Sequence, residues 1–105
     1  MKRTIACAIG LVAVALLPSK AAATAYRVVI EDMKFGPTPA ALKVGDSIEW
    51  VNHDIFRHTA TARDGSFAVD LPAGKTGRSV IKHAGKIGFF CRYHPGMTGS
   101  LTVSP

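Results

Sequence analysis

Cysteine is nearly absent from this sequence: Cys7 and Cys91 are the only two. A scaffold held by several disulfides is therefore excluded. No apolar run reaches the about 20 residues that a membrane-spanning helix needs, and the longest, Ile5 to Leu17, stops short of it. Beyond position 25 no stretch shows a convincing helical period, which argues against a helix bundle. Basic residues never adjoin one another there, and without a Lys/Arg run there is no nucleic-acid-binding face. Internal repeats and low-complexity linkers are also missing, so a single domain is expected. No carboxylate pair and no Ser/His/Asp arrangement beyond chance is present, which argues for a carrier or binding role and not an enzyme.

What is present begins with a leader. Met1-Lys2-Arg3 is a short positive head, Ile5 to Leu17 is apolar, and Ala21-Ala22-Ala23-Thr24-Ala25 offers small residues for cleavage. This pattern is that of a secretory signal peptide. The expected division is residues 1–25 as signal peptide, cut after Ala25 with Ala23 as the alternative, and residues 26–105 as the mature domain, exported and without a membrane span. The whole chain carries a net charge of +6 from 13 basic and 7 acidic residues. Without Lys2, Arg3 and Lys20, 10 basic residues remain against 7 acidic ones, a mildly basic +3. Cys91 is then the only thiol, in a compartment where thiols are oxidised. Burial or metal ligation would protect it, and metal ligation explains it best.

From Tyr26 onward, short β-rich runs alternate with turn signals. Tyr26 to Glu31 is one run, and Met33 and Phe35 extend its apolar face up to Gly36-Pro37-Thr38-Pro39. Leu42 and Val44 lead to the Gly45-Asp46 turn. Ser47 to Asn52 alternates with Ile48 and Trp50 on one side. His58 to Ala62, Phe67 to Leu71, Gly77 to Lys82 with Val80 inward, Ile87 to Tyr93, and Leu101 with Val103 complete the set. Frequent turns between short strands predict an antiparallel β-sandwich of about seven strands. Trp50, Phe35 and Phe89 are expected in its core.

Period two gives the pattern a chemical reading. Ile87, Phe89 and Cys91 share one face, so the Cys91 sulfur points inward at a strand end, where the sheets open into loops. Cys91-Arg92-Tyr93-His94-Pro95-Gly96-Met97 then places thiolate, imidazole and thioether at C-x2-H-x2-M spacing, with Pro95-Gly96 supplying the bend. Sulfur beside imidazole suits copper or zinc, and a Met neighbour favours copper, because a thioether adds little to a tetrahedral zinc set. A trigonal His2Cys site with an axial Met needs one more imidazole. His58, after the Trp50 strand, is the candidate, while His53 and His83 lie in loops and read as solvated. Arg57 and Arg92 flank ligands as surface charges, and Ile55 and Phe56, if exposed, form an apolar docking patch.

Three segments carry a family resemblance: Met33-Lys34-Phe35, Lys43 to Asn52, and Phe90 to Met97. Together they resemble the cupredoxins, the small blue-copper proteins, and most of all their amicyanin branch, with plastocyanin and pseudoazurin more distant. The resemblance covers essentially residues 26–105, and the short ligand loop is its most specific part. It implies a cupredoxin-like Greek-key β-sandwich holding one type I copper ion through His58, Cys91, His94 and Met97. It also implies a monomeric periplasmic one-electron carrier, working with a c-type cytochrome or a periplasmic dehydrogenase or reductase. The sequence departs from the family at Thr59, where Asn usually follows the first His ligand, and in lacking amicyanin's N-terminal extension. Two other classes compete: a periplasmic protein for copper buffering, delivery or resistance, and an Ig-like assembly module with an incidental ligand loop.

Overall fold

The polar–apolar alternation of Ser47 to Asn52 becomes the middle of one sheet, and the rest of the fold packs around it. The computed structural model describes residues 22–105, together with Gly10 and Val12. The expected signal peptide lies outside the described residues except for those two and residues 22–25. Nine strands are formed: β1 (Ala25–Glu31), β2 (Lys34–Phe35), β3 (Leu42–Lys43), β4 (Ser47–Asn52), β5 (His58–Ala62), β6 (Ala68–Leu71), β7 (Thr76–Val80), β8 (Gly85–Phe90) and β9 (Thr98–Ser104). They make a four-stranded sheet, β2-β1-β4-β7, and a five-stranded sheet, β3-β9-β8-β5-β6. This is the expected cupredoxin-like β-sandwich, with the chain hopping between sheets from β2 to β3, β3 to β4, β4 to β5, β6 to β7 and β7 to β8. The count exceeds about seven because β2 and β3 are two-residue pieces.

The sandwich is not wholly antiparallel as expected. β1 runs parallel to β4, and β3 parallel to β9. Parallel neighbours cannot be joined by a tight hairpin. The chain between β1 and β4 accordingly leaves the first sheet, contributes β3 to the second, and returns.

Ile48 and Trp50 of β4 are fully buried, as their alternation requires. They meet Val28 and Ile30 of β1, and Ile87, Phe89, Leu101 and Val103 from the opposite sheet. Phe89 stands edge-on to Phe35 at 4.7 Å and to Trp50 at 5.1 Å, and Trp50 lies 5.8 Å from Phe67. Such pairs add about 0.5–1.5 kcal/mol each beyond simple burial. Room for the Phe89 ring comes from its cross-strand partner Gly99, where any Cβ would run into the ring.

Val80 is the one strand residue whose expected side is reversed. It is 47% exposed, while Ser79 and Ile81 are buried. The reason is a polar contact inside the core: the Trp50 Nε1–H donates to Ser79 Oγ at 2.9 Å. A buried indole N–H needs an acceptor, so the serine faces inward and Val80 faces out.

Sheet geometry brings the candidate ligands to one end. β5 and β8 are antiparallel neighbours, with Thr61 opposite Phe90 and Ala62 opposite Phe89. Continued past the end of β8, that register runs the start of β5, with His58 as its first residue, alongside the segment that begins at Cys91. β8 ends at Phe90 and not at Tyr93, because the chain turns immediately after it.

Candidate metal centre

Cys91 is fully buried, on the same face as Ile87 and Phe89. Beyond it the ligand loop closes on itself. The Cys91 N–H donates to the Met97 carbonyl at 3.1 Å, His94 N–H to the Cys91 carbonyl at 3.3 Å, and Met97 N–H to the His94 carbonyl at 2.8 Å. These bonds make a compact turn of Cys91 to Met97 and satisfy backbone groups that would otherwise be stranded at the strand end. Met97 is buried in the core cluster, while His94 is half-buried between exposed Tyr93 and Pro95.

His58 enters from β5 with no exposed surface. Its Nδ1 lies 3.7 Å from Cys91 Sγ, and the Nδ1 of His94 lies at the same distance from that sulfur. The two imidazole rings are 5.1 Å apart. The ligand atoms of His58, Cys91 and His94 all fall within 4.8 Å of one another, the one such cluster among the described residues. Metal–nitrogen bonds of about 2.0–2.1 Å and metal–sulfur bonds of about 2.3 Å, at tetrahedral to trigonal angles, separate such atoms by about 3.5–3.8 Å. The observed spacing thus fits a shared metal ion.

Asp54, which the sequence reading did not single out, sets the orientation of His58. Its Oδ2 lies 2.7 Å from His58 Nε2. A carboxylate only accepts, so Nε2 carries the proton and Nδ1 turns its lone pair towards the sulfur. Asp54 also accepts the Asp32 N–H on Oδ1 at 2.8 Å and the Met33 N–H on Oδ2 at 3.0 Å. Those two residues form the tight β1–β2 turn with φ of 53° and 61°, a left-handed conformation that costs non-glycine residues about 1–3 kcal/mol each. One carboxylate therefore anchors a strained turn and a ligand imidazole. Burial pushes the Asp54 carboxyl up, but the Met33 N–H, the His58 contact and the Asp32 N–H outweigh this and hold it below its ordinary value.

Asn52 shapes the loop that carries Asp54. Its Oδ1 accepts the Asp54 N–H at 2.9 Å, and its Nδ2 donates to the carbonyls of Phe56 at 2.8 Å and Leu71 at 2.9 Å. An Asn with its oxygen on the N–H two residues on is a turn signal legible in sequence. The carboxylate's distant partners are not.

Thr59 bridges the segments that carry His58 and Cys91. Its N–H points at Cys91 Sγ from 3.4 Å, and its Oγ1 accepts the Arg92 N–H at 2.9 Å. The Thr61 hydroxyl lies 2.9 Å from the same oxygen. The two ligand-bearing segments are thus tied together through a hydroxyl. His53 and His83 are exposed, apart from the cluster, as expected.

Comparison with known proteins fits this geometry. A family model described as a cupredoxin-like domain matches residues 4–103. Amicyanin from Paracoccus versutus is 29% identical over 87 residues, which cover 77% of this chain and 66%, just under two thirds, of that protein. Among solved structures, a reduced amicyanin variant shares 26% identity with a TM-score of 0.66, covering 76% of this chain and 82% of its own. A Cu(I) form of another amicyanin variant gives 26% identity and a TM-score of 0.65 over the same shares.

Proposed function

The chain belongs to the cupredoxin-like family, and from that premise we propose that it is an exported one-electron carrier whose copper is held by His58, Cys91, His94 and Met97. One type I copper ion is the cofactor, and the donor set of two imidazoles, one thiolate and a neighbouring thioether suits it. When bound, copper supplies a one-electron couple at a site whose ligands need little movement between oxidation states.

The convergence of His58, Cys91 and His94 at the end of a rigid sandwich carries this reading. Burial of Cys91 keeps its thiol from oxidants and from partner thiols. Thr59 N–H and the closed turn of Cys91 to Met97 hold the sulfur in place, and Asp54 holds His58 in one tautomer. His94 reaches towards the surface and is the route by which an electron leaves. On the loops that lead to His58 and carry His94, Ile55, Phe56, Tyr93 and Pro95 are exposed, Ile55 at 84%. A small apolar patch with Arg57 and Arg92 at its edge fits a brief encounter with an acidic redox protein, such as a c-type cytochrome or a periplasmic dehydrogenase or reductase. The protein works as a monomer in the periplasm, reached through its apolar N-terminal leader. Among the described residues no helix is long and apolar enough to cross a membrane.

Repeated oxidation and reduction beside a Cu(I) chelator tests the carrier role. Fast electron exchange with copper retained over many cycles is expected. Loss of copper to the chelator within a few cycles, without fast exchange, would assign the protein to copper buffering or delivery instead.

A further inference from the structure

Ala21-Ala22-Ala23 and Ala23-Thr24-Ala25 each place alanine last and third from last before a possible cut, so the sequence pattern fits either end of the leader. The fold does not treat the two ends alike. Thr24 is engaged through both backbone groups: Ser47 N–H donates to its carbonyl at 3.0 Å, and its own N–H donates to Asp46 Oδ1 at 2.8 Å. Ala25 follows as the first residue of β1, opposite Ser47. Asp46 is 5% exposed, and its second oxygen accepts the Lys43 N–H at 2.8 Å. Ala22 and Ala23, by contrast, are exposed and outside any strand.

We propose that the leader is hydrolysed between Ala23 and Thr24, and that the α-ammonium so formed pairs with the Asp46 carboxylate. This deepens the reading of an exported protein and rests on it. In the step the Ala23–Thr24 amide bond breaks; water gives its hydroxyl to the Ala23 acyl carbon and a proton to the Thr24 nitrogen. At neutral pH the products are a carboxylate on the released leader and an ammonium on the mature chain. The enzyme class required is a peptidase that reads small residues at the last and third-last leader positions. The existing N–H bond to the Asp46 carboxylate then gains a charged donor as well as its charged acceptor and becomes an ion pair, shorter and stronger in kind. Asp46 is prepared for a cation: the Thr24 N–H first, and the Lys43 N–H after it, already hold its carboxyl below the ordinary value. A cut after Ala25 would instead delete the acceptor of the Ser47 N–H and the donor to Asp46 Oδ1, two contacts that the fold uses.

The full chain, exported by a bacterial host and recovered, is examined by intact mass and N-terminal sequencing. A protein beginning at Thr24 is expected. One beginning at Tyr26 would overturn the proposal while leaving export standing, and one retaining residues 1–23 would overturn both. The α-amine of the exported protein is then titrated by NMR in the wild type and in Asp46→Asn. Lys43 and Tyr26 line the same surface hollow as Thr24 and Asp46 and are the other titratable groups near that amine. Its pKa is expected above the ordinary about 7.7–8.0 in the wild type and lower in Asp46→Asn. Equal values in the two proteins would overturn the ammonium–Asp46 pair.

Discussion

Asp54 offers two oxygens to three donors, the N–H groups of Asp32 and Met33 and the His58 ring. Asparagine in its place has one acceptor oxygen and a donor amide, so at least one of those groups loses its partner. Asp54→Asn is expected to lower stability to urea by about 1–3 kcal/mol, the usual range when a buried donor is stranded. It should also weaken copper binding about 10- to 100-fold in a competition titration, as loss of a group that orients a metal-bound imidazole does. Unchanged copper affinity would mean that β5 alone positions His58. The meeting of His58, Cys91 and His94 was legible because two of them sit in one short motif and the third follows a recognisable strand. Asp54 was not, since its backbone partners lie 21 and 22 positions away and meet it only once the β1–β2 turn has formed. The bridging role of the Thr59 hydroxyl was hidden for a similar reason: Arg92 is 33 positions on.

Between elements, Asp46 joins the entry to β1, the end of β3 and the start of β4 through its bonds to the N–H groups of Thr24 and Lys43. Its carboxyl titrates below the ordinary value because those N–H groups favour the charged form. A group depressed on folding stabilises the fold at any pH above its unfolded value, about 3.9 for Asp. That contribution is lost as pH falls through the lower folded value. Urea midpoints of wild type and Asp46→Asn should therefore differ by a constant amount from pH 7 to pH 5 and converge only below about pH 4. Convergence already at pH 6 would show that another group is responsible. The strands themselves were readable from period two and turn residues, but their sides and directions were less so. Val80 was placed inward by apolar character alone, and the hydrogen bond that turns Ser79 inward comes from Trp50 of a neighbouring strand. The parallel pairings of β1 with β4 and β3 with β9 depend on which sheet each segment joins, which local alternation does not encode.

For the whole molecule, a basic chain that exposes Ile55 and Phe56 in the loop before His58 and half-buries His94 should, as the proposed carrier, meet a partner by electrostatic steering and part from it quickly. Arg57 stands at the patch edge, only loosely paired with Asp70 at 3.9 Å, and both side chains are more than half exposed. Such a pair adds little to stability, which leaves the arginine free to act on encounter. Arg57→Glu should slow reoxidation by an acidic redox protein several-fold at low ionic strength while leaving the copper site intact. The difference should vanish near 1 M salt, where the Debye length falls to about 3 Å from about 10 Å at 0.1 M. A rate indifferent to both salt and Arg57 would point to docking elsewhere. The account depends most on the claim that the Cys91 thiolate, with His58, His94 and Met97, binds copper as a type I site. The visible absorption spectrum of the copper-loaded protein, recorded beside that of Cys91→Ser, tests it most directly. An intense thiolate-to-copper band in the wild type that disappears in Cys91→Ser is predicted, whereas a colourless wild type, or a variant that stays blue, would contradict it.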